Sequence, residues 1–155
     1  MKKMSRTPAG AALSASALNL FRVASSLLAE GNRLVANIGL TSARWQVLGT
    51  MVSAESPQPV AWLARDMGMN RQNVQRLING LEKEGLVEFA QNPHHKRAYL
   101  VVLTESGRKA FSHAMALESP WVNQLAEGIS LEDIHTMNRV LKILRSRLSE
   151  EVIEE

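Results

Sequence analysis

A chain of 155 residues, 45% hydrophobic and 21% charged, carries enough apolar material for one folded domain and is too apolar to stay disordered. It has no cysteine, which excludes a disulfide framework, thiolate catalysis, a thiol redox switch and cysteine-ligated zinc. The net charge of +3 permits an anionic partner without demanding one, so the placement of the cations decides.

The start, MKKMSR, is basic but leads into an alternating Ala/Ser segment and not a signal-peptide core. No uninterrupted apolar run approaches about 18 residues, so a cytoplasmic chain with no membrane span is expected. Residues 1–10, with Lys2, Lys3, Arg6, Pro8 and Gly10, read as a flexible basic arm, and residues 11–155 as a single domain. From Leu13 to Ile38 apolar residues recur every three or four positions, which predicts a long amphipathic helix ending near Gly39. A shorter helix follows, capped by Thr41 or Ser42, with Trp45, Val47, Leu48 and Met51 as its apolar positions. SPQP, residues 56–59, breaks it.

Residues 60–91 predict two helices joined by a tight turn. Ala64 is small where two helices must cross, Gly68 supplies a left-handed turn conformation, and Asn70 is a good N-cap. Val74 and Leu77 then pack back on the first helix, the spacing that a helix-turn-helix requires. Gly85 closes the second helix, and LVEFA, residues 86–90, reads as a strand pairing with Tyr99–Leu103. The loop between them holds His94, His95, Lys96 and Arg97, so a basic hairpin, a wing, sits directly behind the helix-turn-helix. Thr104 is expected to cap the next helix, which Pro120 should break or kink. Ser130 and Asp133 make a capping-box-like start to a last helix whose Ile134, Met137, Leu141, Leu144 and Leu148 form a seam. The acidic tail EEVIEE is expected to fray, and no internal repeat is present.

On a helical wheel over residues 70–83, Val74, Leu77, Ile78 and Leu81 share one side. Gln72, Gln75, Arg76, Asn79 and Lys83 lie on the other. Guanidinium groups match guanine O6 and N7, and carboxamides match adenine N6 and N7. The candidate DNA-binding residues are therefore Asn70, Arg71, Gln72, Asn73, Gln75, Arg76 and Asn79, with His95, Lys96 and Arg97 of the wing reaching the flanking phosphates or minor groove. Adjacent histidines make a poor ligand pair, and His113 and His135 are distant in sequence, so no metal or other cofactor is expected. No phosphate loop, paired metal motif or nucleophile context appears, so no catalytic residues and no enzyme are expected. The competing reading is a winged helix that docks on protein. Such a surface calls for aromatic or aliphatic anchors, where this helix offers Gln72, Gln75, Arg76 and Asn79.

The segment Val60 to Gly107, "LARDMGMNRQNVQRLINGLEKEGLV" followed by "NPHHKRAYLVVLTESG", resembles the core of the MarR family, the multiple-antibiotic-resistance regulators. The terminal helices are similar in placement. The resemblance implies a mainly α fold with a small β-hairpin wing: a winged helix-turn-helix at about residues 41–107, flanked by dimerisation helices at 11–39 and 108–155. It implies a homodimeric regulator of a pseudo-palindromic duplex operator, a repressor released by a small amphipathic or aromatic ligand. By the same resemblance Asn70 to Asn79 belong to the recognition helix and Arg97 is the wing arginine. The family often has Asp where this chain has Asn92 and His95, which leaves Arg97 less tethered here and the wing tip more positive. Phe21, Trp45, Met51 and Trp121 are candidate ligand-lining residues, with plain core packing as the other reading of all four.

Overall fold

The first helix, α1 (Pro8–Val35), starts where a proline can. Thr7 is the N-cap, its hydroxyl accepting the Gly10 N–H at 3.0 Å, and the N–H that Pro8 lacks has no partner at a first helical position anyway. The computed structural model describes residues 5–95 and 97–150. Lys2, Lys3, Lys96 and most of the acidic tail lie outside the described residues. The helix begins inside the stretch read as an arm, because Thr7-Pro8 is a start signal that outweighs the polar composition around it. The chain divides into two compact units, one reaching to Leu117 and one beginning at Glu118.

In the first unit α1 ends in a 3-10 turn, Ala36–Ile38, closed by Gly39 at φ 74°. Thr41 caps α2 (Ser42–Ser53). Ser42 instead ties α2 to α1: its N–H donates to Asn32 Oδ1 at 2.7 Å and its hydroxyl to the Leu28 carbonyl at 2.8 Å. A Cβ at position 31 would lie 2.5 Å from Ser42 Oγ, so a larger residue there must displace the hydroxyl that bonds the Leu28 carbonyl. SPQP does more than break α2. Gln58–Pro59 forms a short strand, β1, paired antiparallel with β3 (Leu100–Leu103) in the register Gln58↔Val101. An edge strand tolerates Pro59 because that side needs no donor. β2 (Val87–Ala90) pairs with the other side of β3, giving the order β1-β3-β2. Between β1 and β2 come α3 (Val60–Met67) and α4 (Arg71–Lys83). The core joins these elements through Val35, Val47, Leu48, Leu63, Val74, Ile78, Leu81, Val87 and Val101, all essentially inaccessible to solvent.

The next helix, α5 (Glu105–Ala126), is seated by Thr104. The Thr104 hydroxyl donates to the Gly85 carbonyl at 2.7 Å and accepts the Gly107 N–H at 3.0 Å, while its own N–H donates to the Leu86 carbonyl at 3.2 Å. Pro120, expected to break or kink this helix, does not break it. Pro120 and Ala116, whose carbonyl loses its donor, are both exposed, so water can satisfy the freed group. In the second unit Ser130 caps α6 (Leu131–Glu150) by accepting the Asp133 N–H at 3.1 Å and donating to the Asp133 carboxylate at 2.7 Å.

Two helices leave apolar residues uncovered. On α1 these are Leu13, Leu18, Leu20, Phe21, Val23, Leu27 and Leu28; on α6 they are Leu131, Met137, Val140, Ile143 and Leu148. The 31-residue stretch Pro8–Ile38 is long and apolar enough, by length and composition, to cross a membrane. Its apolar residues are interleaved with Ala, Ser and Gly, which interrupt any pure run while barely lowering the average. The same composition describes a helix that buries one side along another helix, and Ser42 fastens the last turns of this one to α2.

Candidate nucleic-acid interface

The turn between α3 and α4 closes as its residues dictate. Gly68 adopts φ 63° and donates to the Arg65 carbonyl at 3.0 Å, and Met69 donates to the Ala64 carbonyl at 2.9 Å. Ala64 is buried at the crossing. Asn70 Oδ1 accepts the Gln72 N–H at 2.8 Å and starts α4. Val74, Ile78 and Leu81 then turn inward, which puts Arg71, Gln72, Asn73, Arg76 and Asn79 on the exposed side with Gln75 half-buried. These side chains bond to one another: Gln75 Nε2 donates to Asn79 Oδ1 at 2.8 Å, and Arg76 donates to Asn73 Oδ1 at 2.5 Å. Base edges offer the same donors and acceptors, so the face can exchange its internal bonds for DNA bonds. At the other end of α4, Arg44 of α2 pairs with Glu84 at 2.6 Å and lies across Gly80, where a Cβ would meet its guanidinium at 2.9 Å.

The wing turn is closed by a carboxamide. Asn92 Oδ1 accepts the His94 N–H at 3.0 Å, and the Asn92 carbonyl accepts the His95 N–H at 3.2 Å. Arg97 is exposed and, among the described residues, pairs with no carboxylate; Glu105 sits 3.7 Å from Lys109 instead.

A cleft of about 1180 Å³ opens between the start of α3, the first turns of α4 and the wing. It brings together Arg71, Gln75, His95 and Arg97, while Asn70, Gln72, Asn73, Arg76 and Asn79 lie on the same helix outside it. Among the described residues, neither Asp nor Glu lines it. Two lining side chains were not singled out from sequence: Trp62, 54% exposed, and Tyr99, 55% exposed. For Trp62 the signal was available, because it falls off the α3 face that buries Val60, Leu63 and Ala64.

Of the four candidate ligand residues, the three in the first unit do not share one cavity. Met51 lines a second cavity of about 510 Å³ with Gln58, Leu63, Val101, Arg108 and Phe111. The Gln58 side-chain oxygen is buried without a partner. Trp45 is half-buried beside Gly31 and does not line that cavity, Phe21 is 71% exposed on α1, and Trp121 belongs to the second unit.

Comparison with known proteins gives consistent results. Residues 38–98 match the model of the MarR family. An uncharacterised protein of Mycobacterium tuberculosis is 36% identical over 111 residues, covering 72% of this chain and 76% of its own. The transcriptional activatory protein BadR of Rhodopseudomonas palustris is 32% identical over 132 residues, covering 81% of this chain and 74% of its own. Among solved structures, that of CouR from Rhodococcus jostii RHA1 bound to p-coumaroyl-CoA superposes with a TM-score of 0.74 at 25% identity, covering 81% of this chain and 88% of its own.

Proposed function

The chain belongs to the MarR family of transcriptional regulators, and from that premise we propose a cytoplasmic homodimeric repressor that binds a pseudo-palindromic duplex operator through α4 and the wing. The observation that carries this reading is the exposed face of α4 with its carboxamide and guanidinium groups, continuous with a cleft that, among the described residues, no carboxylate lines. Asn70, Arg71, Gln72, Asn73, Gln75, Arg76 and Asn79 address the major groove, and His95, Lys96 and Arg97 the flanking backbone. Dimerisation is supported by the uncovered apolar residues of α1 and α6, which a second copy would bury.

Release by a small amphipathic or aromatic ligand is supported by CouR, which binds p-coumaroyl-CoA. The cavity behind Met51, with Arg108 and Phe111 on its wall, offers such a molecule charge and apolar surface. The sign of regulation depends on where the operator lies relative to the promoter, and BadR is an activatory protein. Transcription in vitro from a template carrying the selected operator decides it, with a fall in transcript expected.

One observation favours the second reading, a module that docks on protein: the cleft exposes two aromatic anchors, Trp62 and Tyr99. Its cations without carboxylates favour DNA. Selection of duplexes from a random pool, followed by sedimentation of the complex, tests both. Two protomers on half-sites about one helical turn apart, roughly 10 bp, are expected. A monomer on a single half-site, or no enriched sequence, would count against the proposal.

A further inference from the structure

Trp62 and Tyr99 come from different elements, one near the start of α3 and one at the root of the wing, yet both line the same cleft with about half their surface in water. Large aromatic side chains left that exposed together call for a partner. The other groups on the wall define its chemistry. Arg71 and Arg97 supply positive charge, and among the described residues no carboxylate on the wall opposes them. The Arg65 guanidinium sits 5.7 Å from the centre of the Trp62 ring, steadying it and adding charge at the rim. Indole N–H is a donor only, and a phenol O–H donates readily to an anion. The occupant must therefore be anionic, rich in acceptors and partly apolar. A sugar–phosphate backbone meets all three conditions: phosphate oxygens accept the bonds, and deoxyribose carbons pack on the rings. The position agrees. With α4 in the major groove and the wing beside it, the strand dividing the two grooves passes over the space between those elements, and that space is this cleft.

We propose that Trp62 and Tyr99 hold the sugar–phosphate backbone of one DNA strand between the recognition helix and the wing, without regard to sequence. The proposal rests on the DNA-binding reading above. It assigns those two residues a part distinct from that of the basic ones. Lysine and arginine contacts to phosphate release counterions and steepen the dependence of binding on salt. Neutral donors and packed rings strengthen binding without doing so.

The test is a titration of wild type, Trp62→Phe, Trp62→Ala and Tyr99→Phe against the selected operator and an unrelated duplex, each at several salt concentrations. Trp62→Phe and Tyr99→Phe remove a donor and keep a ring, so folding is preserved; thermal unfolding checks it for every variant. Each is expected to weaken binding about tenfold on both duplexes, with more for Trp62→Ala, since a neutral bond to a charged oxygen is worth about that factor. Plots of log affinity against log salt should run parallel to wild type. Bound duplex should also shield wild-type tryptophan emission from acrylamide, and that protection should disappear in Trp62→Phe. If wild type binds a duplex and the three variants bind as tightly, the aromatic contact is refuted and the cleft serves a protein or another partner. A loss confined to the operator would make these residues base readers and overturn the proposal as stated. If wild type binds no duplex at all, the DNA-binding reading falls and takes this one with it.

Discussion

Replacing Gly107 by alanine is expected to loosen the seat of the wing. A Cβ at this position would lie 2.0 Å from the Leu86 carbonyl oxygen and 2.8 Å from Leu103 Cδ1. The leucine methyl can rotate away, but the carbonyl is backbone at the root of β2, and it also accepts the Thr104 N–H at 3.2 Å. Restoring an ordinary contact moves α5 and β2 apart by more than about 1 Å and stretches the bonds through which Thr104 joins them. Overpacking of this kind costs about 1–3 kcal/mol, and weakening one part-buried hydrogen bond adds about 1 kcal/mol. The better helix propensity of alanine returns about 0.5–1 kcal/mol, so the net loss should be about 1–3.5 kcal/mol. Gly49→Ala is the control. Its nearest neighbour would be Phe111 Cε2 at 3.4 Å, an ordinary contact, and the position is inside α2. There only the propensity gain remains, about 0.5–1 kcal/mol of stabilisation. Urea unfolding followed by circular dichroism, at one fixed protein concentration, compares the two. Midpoints that move in opposite directions support the packing argument. A Gly107→Ala protein as stable as wild type would refute it.

Arg76→Ala should relax base preference at one operator position by about 1–3 kcal/mol of discrimination, as in loss of a bidentate guanine contact, read by selection from a random duplex pool. An unchanged preference in a folded variant would remove Arg76 from the reading set. Arg97→Ala should weaken binding to all sequences alike and lower the slope of log affinity against log salt by about one unit; an unchanged slope would make its role structural. Asn70→Ala removes the side-chain acceptor for the Gln72 N–H and should cost about 1 kcal/mol in thermal unfolding, whereas Asn70→Ser should retain most of that.

The features legible in the sequence are those decided by neighbours. Gly68 and Asn70 satisfy a turn and a helix start within a few residues, so their chemistry could be read directly. The inward side of α4 followed from periodicity for the same reason. The start of α1 was equally local, since Thr7 and Pro8 form an N-cap and a first position, but the surrounding polar residues obscured it. β1 was beyond such reading: two residues, one a proline, become a strand only because Val101 and Leu100 arrive from far along the chain. That the helix runs on through Pro120 was not legible, because the cost of a proline depends on whether the freed carbonyl meets water, which is a property of the surface. Trp62 betrays itself by falling off the buried face of α3. That it shares a cleft with Tyr99 depends on the fold of the wing.

The joint between α1 and α2 has mechanical leverage. Ser42 grips α1 at Leu28 and Asn32, with Gly31 pressed against it, whereas most side chains before Leu28 stand in solvent. From Gly31 back to Pro8 a helix extends about 35 Å at 1.5 Å per residue. Pivoting that rod by about 5° at its fulcrum carries the distal tip through about 3 Å, close to the rise of one DNA base pair. Whatever clasps the far end of α1 therefore feels a base-pair-sized step for a rotation that scarcely disturbs the atoms at the hinge.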